Sequence, residues 1–370
     1  MGILEIAADR KEQFLRNIYL MGKDAIENKD GAFAYVIPTE QWDKGEARNL
    51  VEILQRGGLE AHRATSDFII GDKKYNKGAV VLYGAQAFRP FLVDLMEKQE
   101  YPNQYLYPGG PPKPPYDLAG WTLPMQMGIQ VDRIDSAFTA NTEMIEGLIA
   151  PITGTVNGKA KAGYLFSATQ NASYKAVNLL LKEGTKVSRL TEVTSLGKTA
   201  YPVGTFWVTG DKDKIAQIAT ATGVDFIGVN SKPKAKSQSI KKFKVGIYKS
   251  WVANKDEGWT RWMLREHAFD LDSLQDADIR LGNLAKYAAI IIPSQRSGSI
   301  MHGHNVSRMP KEYTGGIGLD GTKMFEMYVK NGGTLITFDQ ASDFAIDQFG
   351  LPIVNVTKNL SNKQFFIPGS

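Results

Sequence analysis

The clearest sign of the fold lies in residues 328–344, which read YVKNGGTLITFDQASDF. A helical segment ends at a Gly-Gly pair and is followed by a short apolar strand, a polar turn and a second amphipathic segment. Two earlier apolar runs, FKVGIY at 243–248 and AAIIIPSQ at 288–295, alternate with helical segments in the same way. Continuous apolar strands joined by helices are typical of a parallel sheet with right-handed crossovers. Residues 236–370 are therefore predicted to form a doubly wound α/β domain.

The sequence before this domain repeats one order of elements. A strand, a helix, a second strand, a hairpin and a second helix occur twice. Tyr35 aligns with Tyr164, and YNKG at 75–78 aligns with YPVG at 201–204. Two copies are too few for a solenoid and favour one packed domain. We therefore predict a duplicated α/β domain at 31–235, with repeats at about 31–130 and 155–230.

Residues 1–30 form a separate segment. Their apolar side chains recur at helical spacing, but no capping residue precedes the first of them. Two interpretations stay open. The segment is the helical tail of a domain that precedes this chain, or it is a short terminus that frays.

Composition excludes several classes of protein. The 370 residues include no Cys, which rules out disulfides, thiolate catalysis, zinc fingers and iron–sulfur clusters. The net charge of +5 arises at residues 232–244, where six Lys and no acidic residue occur. A charge run flanked by Pro and Ser is typical of a solvated linker, so no nucleic-acid partner is predicted. No apolar run approaches the roughly 20 residues of a transmembrane helix, so no membrane span is predicted.

Motifs for metals and nucleotides are weak. Only His302 and His304 lie close together among the four His, and no acidic residue adjoins them at the spacing of a zinc motif. No Gly-x-Gly-x-x-Gly follows a predicted strand, and no P-loop or Gly-x-Ser-x-Gly turn occurs. No metal ligand and no catalytic residue is therefore predicted in this chain.

The candidate site consists of side chains that follow the strands of the predicted parallel sheet. The carboxyl ends of such strands converge on one crevice, where ligands bind. For Asp256 and Glu257 a second interpretation stays open, because carboxylates near a helix N-terminus also stabilise the helix dipole. The predicted ligand-binding crevice comprises Ser250, Trp251, Asp256, Glu257, Arg261, Ser294, Gln295, Asp339 and Gln340.

The runs KVGIY, AAIIIPSQ and YVKNGGTLITFDQASDF resemble the glutamine amidotransferase-like fold, which has flavodoxin-like topology. The resemblance implies a sharp turn between strand and helix that carries a nucleophilic Cys in active members. Here Asp339 occupies that position, and Ile292-Pro293-Ser294-Gln295 replaces the Gly-Gly turn that would supply an oxyanion N–H. Because a carboxylate is a poor acyl acceptor, we expect the fold without amidotransferase activity.

Pro-rich and Trp-rich segments extend along the chain and include AYVIPTEQWDKG (34–45), YPGGPPKPPYDLAGWTLPMQMG (107–128), WVANKDEGWTRWMLREHAFD (251–270) and GGTLITFDQASDFAIDQFGLPIVNV (332–356). Together they resemble the region that follows the catalytic domain in large bacterial members of the zinc carboxypeptidase (carboxypeptidase A-like metallopeptidase) family. The resemblance implies a periplasmic or extracellular peptidase whose zinc ion is bound in an upstream domain. The family's zinc motif, His-x-x-Glu with a distant His, has no match in this chain.

For this chain, the resemblance implies a non-catalytic accessory region with no cofactor of its own. Its partner would be the upstream peptidase domain, which it would support or gate, or it would bind a peptide or a glycan. Two other functions stay open, namely a hydrolase that uses the crevice around Asp339 and an oligomerisation module.

Overall fold

The computed structural model describes residues 2–27, 30–98, 102–113, 122–196 and 199–365. The chain folds as two compact units. The first comprises Met1–Thr153, Thr169–Asn171 and Asn362–Ser370, and the second comprises Gly154–Ala168 and Ala172–Ser361. Helices and strands occur in both units, so the fold is mixed α/β with several sheets. The predicted boundary between residues 235 and 236 lies inside the second unit, and residues 114–121 of the segment 107–128 lie outside the described residues.

The first unit is built on an antiparallel sheet. Its strand order is β6-β1-β5-β2-β7, and β3 and β4 form a separate hairpin. Helix α3 begins after Asp43, whose carboxylate accepts the N–H groups of Gly45 and Glu46, and packs Leu50 and Leu54 into the core. The elements are α1 (Gly2–Asp9), α2 (Lys11–Glu27), β1 (Ala34–Ile37), α3 (Lys44–Arg56), β2 (His62–Ala64), β3 (Phe68–Ile70), β4 (Lys73–Tyr75), β5 (Val80–Tyr83), α4 (Arg89–Met96), α5 (Leu123–Gln126), β6 (Asp132–Ile134) and β7 (Thr142–Met144).

The amino-terminal part of the second unit contains a six-stranded sheet of order β15-β10-β13-β9-β14-β8. Its strand pairs are antiparallel except β14 with β8, which is parallel. Helices α6 and α7 bury their apolar residues in one core with Phe166 and Phe226. The elements are β8 (Val156–Asn157), β9 (Gly163–Phe166), α6 (Asn171–Lys182), β10 (Val187–Leu190), β11 (Thr194–Leu196), β12 (Thr199–Tyr201), β13 (Phe206–Val208), α7 (Lys212–Thr222), β14 (Phe226–Val229) and β15 (Ser237–Ile240).

The two antiparallel sheets share a turn in backbone detail. Gly78 and Gly204 both have φ +96°, a conformation that side chains with a Cβ rarely adopt. Each glycine N–H donates to the carbonyl of the residue 14 positions earlier, Ala64 or Leu190. Tyr35 pairs with Leu82, and Tyr164 pairs with Val208, and both partners lie four residues after the glycine. The two segments therefore share this turn and the strand pairing beside it.

The carboxyl-terminal part of the second unit is a parallel sheet. Its strand order is β17-β16-β18-β19, and all three strand pairs are parallel. The elements are β16 (Lys244–Tyr248), α8 (Lys255–Glu266), β17 (Asp270–Leu274), α9 (Asp276–Leu281), β18 (Ala289–Ile292), α10 (Ser297–His302), a 3-10 turn (Lys311–Tyr313), α11 (Gly318–Lys330), β19 (Thr334–Thr337) and α12 (Ala341–Phe349).

Each face of this parallel sheet packs against helices. One face buries Ile290 and Ile292 with Phe325 of α11 and Phe344 of α12. The other face packs Val245, Ile247 and Ile291 against Leu264 of α8. The strands β16 and β18 contribute apolar side chains to both faces, as expected for the central strands of a buried parallel sheet. Because all the strand pairs are parallel, the carboxyl ends of the strands and the residues that follow them lie at one edge.

Candidate functional site

A chain of hydrogen bonds joins the loops at the carboxyl ends of three strands. Ser294, which follows β18, donates from Oγ to Oδ2 of Asp339, which follows β19, over 2.8 Å. Asn254, in the loop after β16, donates from Nδ2 to the Ser294 carbonyl over 3.0 Å. The Oδ1 atom of Asn254 also accepts the N–H of Asp256 and caps α8. The structure thus brings together Ser294 and Asp339 as the sequence predicts, and it adds Asn254.

Asp339 has an unusual backbone conformation. Its φ is +42°, and among the described residues only Thr122 and Ala268 are further non-glycine residues with positive φ. The conformation forms a tight turn between β19 and α12, in which the Ser342 N–H donates to the Asp339 carbonyl over 2.9 Å. A left-handed conformation costs about 1–2 kcal/mol for a residue with a Cβ. The turn leaves the Asp339 side chain exposed at the sheet edge.

Glu257 and Arg261 pair with each other rather than facing a crevice. Glu257 is only 5% exposed, and its Oε1 accepts from Nε of Arg261 one helical turn later over 2.7 Å. The N–H groups of Asp256 and Glu257 are both capped by Asn254. These contacts support a structural role for this pair at the start of α8, where carboxylates also favour the helix dipole.

Trp251 and Ser250 make local contacts. The Trp251 ring packs edge-on against Tyr313 with a centroid distance of 4.8 Å, and its carbonyl lies 3.3 Å from Nε2 of His304. The Ser250 hydroxyl accepts the N–H of Val252 over 3.1 Å. Trp251 is therefore an aromatic surface at the end of β16 that the loop after α10 holds in place.

The two glutamines of the predicted site differ in burial. Gln295 is 9% exposed, and its Nε2 atom is buried without a hydrogen-bond partner among the described residues. Gln340 is exposed at the start of α12. A buried amide donor without a partner costs about 1–3 kcal/mol. Among the predicted site residues, Gln295 therefore has a buried amide donor that no described residue accepts.

A buried pair beneath the site was not predicted from the sequence. Tyr248 at the end of β16 donates to Oδ1 of Asp276 over 2.6 Å, and both side chains are at most 2% exposed. Burial raises the pKa of Asp276, and burial together with the nearby Asp276 carboxylate raises the pKa of Tyr248 well above its usual range. The Oδ2 atom of Asp276 has no partner among the described residues. The only sequence signal was an acidic residue two positions after a strand, which is also a common helix start.

A Gly-x-Gly-x-x-Gly sequence does occur at residues 316–321, at the start of α11. It follows a loop rather than a strand, since Gly315 forms an isolated bridge with His304. A Cβ at Gly316 would lie 2.4 Å from the Ile300 carbonyl oxygen, and one at Gly321 would lie 2.6 Å from Cβ of Ile317. Close packing accounts for these glycines, so they do not indicate a phosphate site.

Three cavities of the second unit have linings that include none of the nine predicted site residues. One of about 410 Å³ adjoins the start of β17 and is lined in part by Lys182, Lys242 and Arg265. Sequence reasoning missed this cavity because its walls come from segments far apart in the chain.

Among residues 2–27, 30–98, 102–113, 122–196 and 199–365, no group of three His, Asp or Glu side chains is placed to hold a metal ion. Of the two His that lie close together in the sequence, His304 contacts the Trp251 carbonyl and His302 is exposed. Within the same described ranges, no helix has the length and apolar character needed to cross a membrane.

Comparisons of the chain with protein-family models, curated proteins and solved structures gave no match.

Proposed function

We propose that this chain is a non-catalytic, ligand-binding accessory region whose ligand is held where β16, β18 and β19 end. The observation that carries the proposal is the 2.8 Å hydrogen bond from Ser294 to Asp339, which fixes an exposed carboxylate at the sheet edge. A carboxylate that is held in place before the ligand arrives loses less conformational entropy on binding.

The strand order supports this location. If the four strands are numbered by their order along the chain, the sheet order β17-β16-β18-β19 is 2-1-3-4. This order matches the first four strands of the flavodoxin-like order 2-1-3-4-5. In such sheets ligands bind at the point where the order reverses, which lies between β16 and β18. Trp251 and Ser294 follow these two strands. The strand order therefore supports both the flavodoxin-like assignment and the proposed location of the binding site.

The side chains at this edge favour a ligand rich in hydrogen-bond donors. The Asp339 carboxylate has acceptor capacity beyond its bond to Ser294, and the Trp251 ring offers an apolar surface in the loop after β16. Peptides supply amide and ammonium donors, and glycans supply hydroxyl donors above apolar ring faces. We therefore propose a peptide or a glycan as the ligand class.

The described contacts argue against catalysis at this edge. The side-chain hydrogen bonds of Ser294 and Asp339 in the described residues join them to each other and to no His. A carboxylate is a weaker general base than a histidine, so a serine hydroxyl whose side-chain bond is to a carboxylate alone is a weak nucleophile. The resemblance to the post-catalytic region of zinc carboxypeptidases supports the wider proposal that this region serves a peptidase located outside the cytoplasm. In that proposal, zinc and peptide hydrolysis belong to an upstream domain.

The proposal is tested by calorimetric titration of the full chain with short peptides and with oligosaccharides. We expect one of these classes to bind, and we expect Asp339→Asn and Ser294→Ala each to weaken binding at least about fivefold, since each removes a polar contact. Asp320→Asn is the matched control, because Asp320 is an exposed carboxylate in the first turn of α11. Equal binding by all three variants, or no binding by any ligand class, would overturn the proposal.

The left-handed turn at Asp339 favours a second candidate, a hydrolase. A strand-to-helix turn with a strained residue is the geometry that exposes nucleophiles in many hydrolases. Turnover of generic ester or amide substrates that is lost in Asp339→Asn and kept in Asp320→Asn would favour this candidate. Ligand binding without turnover would favour the accessory region.

A further inference from the structure

The 410 Å³ cavity lies at the opposite end of the parallel sheet from the proposed binding edge. Its lining includes Phe243, directly before β16, and Asp270 and Leu271, at the start of β17. Asn178 and Lys182 of α6 complete the wall from the other side. Its volume falls in the range of about 300–1,000 Å³ that is typical of small-molecule sites.

The charges around this cavity are mostly positive. Lys182, Lys242 and Arg265 line it, and none of these three side chains forms an ion pair or hydrogen bond with another described residue. The acidic member of the lining is Asp270, whose carboxylate lies 3.9 Å from Nζ of Lys244. Three cations without partners around one concave surface raise the local concentration of anions. The lining therefore favours an anionic group.

The remaining wall contains two aromatic rings, Phe243 and Phe269, beside the aliphatic side chains of Leu181, Ala268 and Leu271. The rings of Phe243 and Phe269 pack edge to face with a centroid distance of 6.0 Å and an interplanar angle of 64°. A second cavity of about 370 Å³ shares Asn178, Phe243 and Phe269 with the first. Apolar and aromatic walls with a few polar groups are typical of pockets that bind small organic molecules. A bare inorganic anion would leave these walls unused.

Local structure holds the cavity wall in place. Nδ2 of Asn178 donates to the carbonyl of His267 over 2.8 Å and so ties α6 to the end of α8. The next residue, Ala268, has φ +57°, and its N–H donates to the Arg265 carbonyl over 2.9 Å. A non-glycine residue in this conformation is strained, and such residues are concentrated at functional sites. The strained turn joins Arg265 to Phe269 across three residues.

We infer that this cavity binds a small organic anion, a carboxylate or phosphate attached to an apolar or aromatic body. The anionic group contacts Lys182, Lys242 and Arg265, and the body packs against Phe243 and Phe269. This site is separate from the proposed peptide or glycan site and does not depend on it.

The test is calorimetric titration of the full chain with phenyl phosphate and with phenylacetate. Inorganic phosphate and benzyl alcohol serve as probes of the anionic group alone and of the body alone. We expect at least one aromatic anion to bind at least about tenfold more tightly than either partial probe, because charge and apolar burial both contribute. The tighter of the two aromatic anions identifies the phosphate or the carboxylate as the preferred group. Equal binding by the aromatic anions and inorganic phosphate would overturn the inference.

Substitutions of the residues that line the cavity test whether the anion binds there. Arg265→Gln and Lys242→Gln should each weaken binding of the preferred anion by about fivefold, the loss expected for one partly exposed charge contact. Lys323→Gln is the matched control, because Lys323 is exposed on α11 and does not line the cavity. An equal loss in the Lys323→Gln variant would assign the binding to overall charge and overturn the inference. Asp339→Asn should leave anion binding unchanged, so failure here is distinguishable from failure of the proposed function.

Discussion

Ser294 donates its hydroxyl hydrogen to Asp339 over 2.8 Å, although 45 residues separate the two in the chain. The bond joins the residues that follow β18 and β19, and it holds the side chain of a residue whose φ is +42°. Asp339 therefore contributes to stability in two opposite ways. Its side chain forms a favourable contact, and its backbone is strained.

The strain at Asp339 can be measured by comparing two substitutions. Asp339→Ala and Asp339→Gly both remove the bond to Ser294, but only glycine adopts the left-handed conformation without cost. We expect the Gly variant to have a larger free energy of unfolding than the Ala variant by about 1 kcal/mol. Urea denaturation of both variants measures the difference. An Ala variant as stable as the Gly variant would contradict the left-handed turn.

Ala268→Gly should stabilise the protein. Ala268 has φ +57° at the end of α8, where the Phe269 N–H donates to the Leu264 carbonyl over 3.0 Å, as in helices that normally end with glycine. Removal of the Cβ should add about 1 kcal/mol to the free energy of unfolding. Ala216→Gly in the interior of α7 is the control, and it should lower that free energy by about 0.5–1 kcal/mol. Destabilisation by both substitutions would be evidence against the strained turn.

The part-buried pair of Glu257 and Arg261 should show a larger coupling energy than an exposed pair of equal spacing. The Glu257 side chain is 6% exposed, whereas Glu326 and Lys330 form an i,i+4 pair with 48% and 70% exposed side chains. Double-mutant cycles with Gln and Met substitutions should give about 1–2 kcal/mol for the first pair. For the second pair they should give at most about 0.5 kcal/mol. Equal coupling energies in urea denaturation would mean that burial adds nothing to the Glu257 contact.

Asp276 should make stability decrease as pH rises. Burial raises the pKa of its carboxyl above the ordinary value of 3.8, so the folded protein binds this proton more tightly than the unfolded chain does. The contribution of Asp276 to the free energy of unfolding is therefore complete below that value and is lost as pH rises through the folded pKa. Asp276→Asn cannot ionise, so relative to the unsubstituted protein its stability should improve as pH rises from about 4 towards 7.

Urea denaturation at a series of pH values checks this prediction. Asp320→Asn is the control, because it removes an exposed carboxylate that has no part in the Tyr248–Asp276 pair. A constant stability difference between Asp276→Asn and the unsubstituted protein across this range would show that the carboxyl titrates normally.

The α/β character of the chain was predictable from local sequence, and it is confirmed. The runs at 245–248 and 289–292 contain no charged residue, which favours buried parallel strands, and they lie in β16 and β18. The alignment of YNKG with YPVG also followed from sequence alone, because a glycine with positive φ is needed at the same place in both turns.

Other features depended on contacts that no local pattern reports. Helices α9 and α10 have six residues each, which is too short for a reliable apolar periodicity. Asn178 bonds to His267 across 89 positions, and this distance explains why the cavity between them was not predicted. Within the candidate site, the convergence of the carboxyl ends of parallel strands predicted that Ser294 and Asp339 lie together. The capping role of Asn254 and the buried acceptor Asp276 required the fold.

The turns at Gly78 and Gly204 keep the same main-chain hydrogen bonds even though most flanking side chains differ. Backbone geometry at this turn therefore tolerates divergence of sequence around it. Each half of the repeated plan can change its surface without altering the way its own strands pair. One main-chain turn therefore supports the same strand pairing beneath two different sets of side chains.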